Sequence, residues 1–340
     1  MVIDRRRRNA WLTSVAVLVA ATGCTGADEP AVPSGSAMDP PAASEATPID
    51  SRVPVVVGAP IDVTTLTGRI VLSTEDDVYT ANADGSGLAV VTRSDGPEFD
   101  PSWAPDGGRI VYRDSRRGIN RNDEIFVVDA DGGRPTNITR DPANDWGPDW
   151  SPDGRTIVFN SDRSGVMGGF LVSPDGTQLR RIRTDAYVEY PAWSPDGRRI
   201  AFMGGDSAAE YDIWVVDRDG HHLVRLTDSF GPDGWPAWSP DGTRVAFTSV
   251  RDDCSYSDAP DCRTTGDIGP HHDVWVVRAD GTGLHRVTSE FGQFVTWSPD
   301  GRYLLVAGYD LYVIRPDGTG RASLDVVGLR GSGLFPDWIA

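Results

Sequence analysis

The stretch Pro148-Asp-Trp-Ser-Pro-Asp-Gly154 decides the fold, because versions of it recur along most of the chain. Four further copies end at Gly107, Gly197, Gly242 and Gly301. The Trp residues of these five copies are 47, 43, 45 and 59 residues apart in chain order. Since a four-stranded propeller blade takes roughly 40–45 residues, this period predicts a β-propeller.

Each copy is followed by the same series of strand and turn signals. Pro-Asp-Gly favours a tight hairpin, because Pro pre-sets φ for a type I turn and Gly takes the next, left-handed position. An apolar second strand follows, as in Arg199-Ile-Ala-Phe202, and then a third strand such as Asp212-Ile-Trp-Val-Val216. Asp219-Gly220 predicts the next hairpin, and a weaker fourth strand ends near Thr227. The pattern predicts blades of four antiparallel strands.

The two ends of the repeat region complete one further blade. The chain stops at Phe335-Pro-Asp-Trp338-Ile-Ala340, which matches a first strand, while Gly68-Arg-Ile-Val-Leu72 matches a second strand. Pairing the C-terminal strand with the N-terminal strands would cover edges that are otherwise exposed. We therefore predict an all-β fold, a six-bladed propeller over residues 68–340 that is closed by this pairing.

The first residues are typical of an export signal. Four Arg, 5–8, precede an apolar run from Ala10 to Ala21, which is shorter than the about 20 residues that a membrane-spanning helix needs. Ala21-Thr-Gly-Cys24 resembles the bacterial lipobox, except that Ala21 replaces a large aliphatic residue; ordinary cleavage after small residues is the alternative. We predict a signal peptide over 1–23 and lipidation at Cys24, which would anchor an exported protein on the extracytoplasmic face of the cell membrane.

The region that follows Cys24 is rich in Pro, Ala, Gly, Ser, Thr and acids. Such a composition buries too little apolar area to offset chain entropy, so we predict a disordered tether over residues 24–67. The formal net charge of the chain is −18, which argues against nucleic acid as a partner. We expect a monomer whose acidic surface keeps it soluble.

These repeats resemble the TolB-type, WD-like propeller repeat, including the stretches Asp114-Ser-Arg-Arg-Gly118 and Ser161-Asp-Arg-Ser-Gly165. The resemblance covers about residues 68–340 and implies a propeller that binds an envelope protein or peptide at its channel mouth. The sequence differs from the TolB pattern in two respects. TolB proteins carry an α/β domain before the propeller, for which residues 25–67 are too short, and Gly168-Gly-Phe170 replaces an acid-aliphatic-aromatic triplet.

Loops that precede the first strands should surround one mouth of the central channel. We predict that a rim of acidic and aromatic residues there contacts the partner. Its members are Glu98, Phe99, Asp100, Asp145, Trp146, Glu189, Tyr190, Asp233, Trp235, Phe294 and Phe335. The repeated Trp residues are interpreted as packing between blades. The alternative for the rim aromatics is that they plug the channel mouth.

Cysteine and histidine residues are the candidates for disulfide and metal chemistry. Cys254 and Cys262 close a short loop inside an insertion, and in an exported protein such a pair predicts a disulfide. His221 and His285 are expected on the face opposite to His272, so no metal cluster is predicted from them. No cofactor is expected, although rim acids would suit a calcium ion in the channel.

Three function classes remain open at this point. The first is a binding module of the cell envelope, favoured by the tether and the multi-loop platform. The second is a propeller enzyme, a metal-assisted hydrolase or lyase; no G-x-S-x-G elbow followed by Asp and His supports it, and no catalytic residue is assigned. The third is a glycan-binding envelope protein that stacks sugars on Trp146 and Trp235.

Overall fold

The computed structural model describes residues 58–74, 76–94, 96–115, 122–205, 211–229, 231–251, 272–289, 291–326, 329 and 334–340. In this part of the chain, strands dominate, and one short 3₁₀ helix, Val63–Thr65, precedes them. No helix of these residues is long and apolar enough to cross a membrane. The signal peptide, Cys24, Cys254 and Cys262 lie outside the described residues, so cleavage, lipidation and the disulfide stay predictions.

Twenty-four strands of the described residues form six antiparallel sheets of four strands each, which confirms the predicted propeller. Blade 1 joins the two chain ends: β1 Arg69–Ser73, β2 Val78–Asn82, β3 Ala89–Val90 and β24 Phe335–Ile339. Blade 2 is β4 Glu98–Trp103, β5 Arg109–Asp114, β6 Glu124–Asp129 and β7 Thr136–Asn137. Blade 3 is β8 Asp145–Trp150, β9 Ile157–Ser161, β10 Gly168–Val172 and β11 Arg180–Arg181.

The second half of the ring repeats this order. Blade 4 is β12 Glu189–Trp193, β13 Arg199–Gly204, β14 Asp212–Asp217 and β15 Val224–Arg225. Blade 5 is β16 Asp233–Trp238, β17 Arg244–Ser249, β18 Asp273–Arg278 and β19 His285–Arg286. Blade 6 is β20 Gly292–Trp297, β21 Leu304–Gly308, β22 Leu311–Ile314 and β23 Ala322–Ser323.

Closure of the ring is as predicted. Strand β24 pairs antiparallel with β1, in a register that runs from Arg69 opposite Ile339 to Ser73 opposite Phe335. The pairing places β1 between β24 and β2, so the edge of β1 that would otherwise be exposed is covered.

The Pro-Asp-Gly turns have the predicted geometry. In blade 2, the Gly107 N–H donates to the Ala104 carbonyl at 2.8 Å, and the Ala104 N–H donates to the Arg109 carbonyl at 2.9 Å. Gly107 has φ +66°, a left-handed conformation that Gly adopts without a steric penalty. The turn therefore fixes where the second strand begins.

The second strands lie between neighbouring blades, as their apolar sequences predicted. Ile110, Val111 and Tyr112 of β5 are fully buried. Trp103 is 4% exposed and packs in one cluster with Val71 of blade 1. The repeated Trp residues are thus contacts between blades, which confirms their interpretation.

A stack of Arg on Trp reinforces four of these blade interfaces, and the sequence analysis did not foresee it. The guanidinium carbon of an Arg in one blade lies 4.5–4.9 Å from the ring centre of the motif Trp in the next. The pairs are Arg69–Trp103, Arg109–Trp150, Arg199–Trp238 and Arg244–Trp297. Such a stack contributes about 0.5–2 kcal/mol, depending on how far the cation is desolvated.

Blade 3 keeps its third strand despite the irregular Gly168-Gly-Phe170 sequence. Strand β10 is buried throughout, and a Cβ at Gly169 would lie only 3.0 Å from Ile182 and 3.1 Å from Val188. The small residue therefore permits close packing between the strand and its neighbours.

The described residues 58–67, which the sequence analysis assigned to the tether, contact the propeller. Ile61 is 6% exposed and packs in a cluster with Leu324 and Trp338. The Thr67 carbonyl accepts a hydrogen bond from the Trp338 indole at 3.0 Å. This segment therefore lies against blades 1 and 6.

Candidate functional site

The first strands of the six blades line a central channel. Each of β4, β8, β12, β16, β20 and β24 contacts the first strands of both neighbouring blades, so together they form a closed ring. They enclose a cavity of about 280 Å³. Five of the six strands carry Pro two residues before the motif Trp, which suits an inner edge where no partner strand accepts an N–H.

A bulge interrupts the pairing of the first strand in four blades, just before the motif Trp. The register shifts between Phe99 and Ser102 in blade 2, and equivalent shifts occur in blades 3, 4 and 5. At the third position before the motif Trp, Asp100, Tyr190 and Trp235 have φ of 52°, 46° and 51°. Left-handed backbone in such residues costs roughly 1–3 kcal/mol and is typical of functional sites.

Four of the six side chains at this position form a continuous wall, which we call the aromatic arc. Its members are Tyr190, Trp235, Phe294 and Phe335 of blades 4, 5, 6 and 1. Successive ring centres are 5.5, 5.4 and 3.9 Å apart. Tyr190, Trp235 and Phe335 remain partly exposed, so the arc offers an apolar face to the channel.

Blades 2 and 3 interrupt this wall with Asp100 and Gly147. Oδ2 of Asp100 lies 3.1 Å from Nε of Arg113, whose guanidinium carbon is 4.5 Å from the ring centre of Phe99. Burial raises the pKa of Asp100, while the Arg113 charge opposes the rise. Oδ1 of Asp100 is buried and has no hydrogen-bond partner among the described residues.

Two further carboxylates face the channel below the arc, one residue before the motif Trp. Asp149 accepts a hydrogen bond from the Trp193 N–H at 2.7 Å and from the Ser102 hydroxyl at 2.9 Å. Asp337 accepts from the Trp103 N–H at 2.8 Å. Both side chains are partly exposed to the channel. Each carboxylate thus bridges its own blade to the next one.

Burial raises the pKa of Asp149 to about 7, and the charge of Asp337 adds to the rise, while the Trp193 N–H opposes it. Burial also raises the pKa of Asp337. No Arg, Lys or His stands among the described residues that line the channel. Of the three lining acids, Asp100 is paired with Arg113, whereas Asp149 and Asp337 have no basic residue beside them in the described lining.

The predicted rim residues separate into two sets. Phe99, Asp100, Tyr190, Trp235, Phe294 and Phe335 meet around the channel mouth. Glu98, Asp145 and Asp233 are fully buried. Arg163 pairs with Asp145, and Arg251 pairs with Asp233, so two of these acids are held in buried ion pairs.

Trp146 and Glu189 also lie apart from the arc. The Trp146 indole donates to the Asp123 carboxylate, and Glu189 accepts from the Tyr211 hydroxyl at 3.4 Å. Sequence reasoning missed Ser102, Asp149 and Asp337. Aligning the motif copies would have shown them, because Ala192 and Ala237 occupy the same position in blades 4 and 5.

Metal ligands do not converge in the described part of the chain, where no three His, Cys, Asp or Glu side chains lie close enough to hold an ion.

Glu98 provides a pH test of the buried acids. Burial raises its pKa to about 7, and the Thr92 hydroxyl opposes the rise. Between pH 4.5 and about pH 7, Glu98 is protonated in the folded protein and ionised in the unfolded chain. The free energy of unfolding therefore decreases as the pH rises across this range, and the contribution of Glu98 is lost above about pH 7. We expect the Glu98 contribution to make the native protein about 2–3 kcal/mol less stable at about pH 8 than at about pH 5, and the Glu98→Gln variant to lack this contribution. Urea unfolding at both pH values measures it; equal pH dependence in variant and native protein would contradict the assignment.

Comparison with known proteins agrees with this architecture. Residues 70–204 match the family model of the TolB beta propeller domain. The crystal structure of TolB from Acinetobacter baumannii is similar at 22% identity and a TM-score of 0.64, over 80% of this chain and 66% of that chain. A putative TolB from Agrobacterium tumefaciens is similar at 19% identity and a TM-score of 0.60, over 81% of this chain and 99% of that chain.

A chain of a nidogen/laminin complex has the same TM-score, 0.60, at 13% identity, over 79% of this chain and 97% of that chain. No curated protein matches the sequence. The family match over residues 70–204 agrees with the resemblance seen in the repeats, and the described part of the chain is a six-bladed propeller like those of the solved structures. At these identities, the structural likeness establishes the fold alone.

Proposed function

We propose that this protein is an exported, lipid-anchored binding protein of the cell envelope that holds an extended segment of a protein or peptide partner at its channel mouth. The aromatic arc is the observation that carries this proposal. Partly exposed Trp and Tyr side chains, held rigidly beside a cavity, are the residue types that supply most binding energy at protein interfaces.

The geometry supports an extended segment better than a folded surface. The cavity of about 280 Å³ is below the usual range for a drug-sized ligand and would accept one or two side chains. The bulges hold Tyr190 and Trp235 in a strained backbone conformation, so the arc needs little ordering when a partner arrives.

Export and anchoring are supported by the N-terminal sequence. The basic residues, the short apolar run and Cys24 are typical of a lipoprotein signal, and a tether after Cys24 would hold the propeller away from the membrane. Mass spectrometry of the mature N-terminus tests this part: a diacylated Cys24 supports it, and an unmodified terminus contradicts it.

The binding role is tested by affinity capture from the detergent-solubilised envelope of the native organism, using the tagged full-length chain. We expect the double variant Tyr190→Ala/Trp235→Ala to lose at least about 30-fold in affinity for the captured partner, because each side chain is a partly exposed aromatic anchor. Trp146→Ala is the matched control, since Trp146 lies on the same face but outside the arc. Capture that is insensitive to the double variant, with its thermal stability retained, would contradict the proposal.

A further inference from the structure

We propose that the channel beneath the aromatic arc binds one organic cation, the ammonium or guanidinium group of a Lys or Arg side chain that the partner segment inserts. This inference rests on the proposed function and adds to it the chemistry of the residue that the partner must carry.

The charge of the channel is the first support. Asp149 and Asp337 face the cavity, and none of the described lining residues is basic. Asp100 also lines the cavity, but Arg113 neutralises it from one side at 3.1 Å. Two carboxylates therefore lack a counter-charge among the residues that the structure describes, and a cation placed between them would favour their ionised forms.

The hydrogen bonds of these acids are the second support. Asp149 and Asp337 accept from backbone N–H groups and from the Ser102 and Thr296 hydroxyls, all neutral donors. These bonds fix the carboxylates in place without neutralising them. Asp100 lines the same cavity, and its Oδ1 is buried without a hydrogen-bond partner among the described residues. It is an acceptor that a donor from outside could satisfy.

The arc supplies the third support, because it lies at the entrance to the same cavity. Tyr190 and Trp235 are tilted by 46° with ring centres 5.5 Å apart, and both line the cavity with Phe294 and Phe335. Aromatic faces attract cations, and the long aliphatic stems of Lys and Arg pack well against them. A basic side chain can thus contact the arc along its stem and the carboxylates with its end.

These features favour an organic cation over a metal ion. A metal needs several carboxylate or carbonyl oxygens directed at one point, and no three acidic or His side chains converge in the described part of the chain. An ammonium or guanidinium group instead donates to oxygens that already accept other bonds, since a carboxylate has about four acceptor sites.

The test is a selection of random heptapeptides on the purified full-length chain, repeated on Asp149→Asn, Asp337→Asn and Trp235→Ala variants. Asn at position 149 keeps an acceptor for the Trp193 N–H and can donate to Ser102, so the blade contact is retained. Asp153→Asn is the matched control, because Asp153 lies in an exposed turn on the opposite face. Thermal unfolding verifies that each variant folds.

We expect the native protein to select peptides that share one Lys or Arg at a fixed position. The affinity of such a peptide should fall at least about 10-fold when Asp149 or Asp337 becomes Asn, or when its Arg becomes the neutral isostere citrulline, and should be unchanged by Asp153→Asn. If the selected peptides lose affinity on Trp235→Ala but share no Lys or Arg at a fixed position, the inference is overturned and the proposed function is retained. Peptides that ignore Trp235, or no selection at all, would contradict both.

Discussion

Replacing Trp338 by Ala is expected to lower the free energy of unfolding by about 3–5 kcal/mol. Trp338 is 7% exposed and packs in the cluster that contains Ile70, Leu305 and Val313, so its loss would leave a cavity between blades 6 and 1. Its indole also donates to the Thr67 carbonyl, which would lose that donor. Urea unfolding, followed by tryptophan fluorescence, measures the change.

Trp150→Ala is the internal standard for this experiment. Trp150 occupies the same position in blade 3, where all four strands are continuous in sequence, and it is 4% exposed. If β24 closes the ring as described, the two variants should lose similar free energy. A cost below about 1 kcal/mol for Trp338→Ala alone would mean that the C-terminal strand adds little to blade 1.

Replacing Arg163 by Met is expected to cost about 3–5 kcal/mol, because it leaves the buried Asp145 carboxylate without its partner. One guanidinium nitrogen of Arg163 lies 2.9 Å from each carboxylate oxygen of Asp145, and the Asp145 side chain is fully buried. The guanidinium carbon of Arg163 also lies 5.2 Å from the ring centres of Phe159 and Phe170. The Met thioether packs well against aromatic rings, so the charge is the main change.

The double variant Arg163→Met/Asp145→Leu separates the charge from the packing. It should cost less than Arg163→Met alone, because no unpaired charge is left buried. Arg155→Met is the control; Arg155 is exposed, and its replacement is expected to change stability by less than about 0.5 kcal/mol. If the double variant is as unstable as Arg163→Met, the loss of stability does not arise from the unpaired carboxylate of Asp145.

The acids of the rim show where sequence reasoning about the site stopped. Asp100 and Asp145 both precede a motif Trp, and both were predicted to face a ligand. Asp100 does line the channel, whereas Asp145 is buried against Arg163, because the two residues stand two positions apart in the repeat and the bulge turns only one toward the mouth. A residue's position relative to the motif Trp therefore predicts whether it faces the channel only when the number of intervening residues is taken into account.

The amino-acid sequence by itself determined the six-bladed propeller, its turns and its closure. These features depend on local periodicity: Pro-Asp-Gly fixes a hairpin, an apolar run such as Ile110–Tyr112 fixes a buried strand, and the repeat fixes how many blades must pack. Strand pairing inside a blade joins segments that are close in sequence. Only the closing strand is distant, and its motif identified it.

The tertiary structure decided which of the predicted rim residues form the candidate site, and which residues lie beside them. Tyr190, Phe294 and Phe335 are each unremarkable within their own blade, and they become one wall because closure of the ring brings the blades together. Asp149 and Asp337 influence each other's charge across 188 residues of sequence for the same reason. The local sequence pattern specifies each blade. The channel, by contrast, is lined by residues from all six blades, so its chemical character depends on how the blades are assembled.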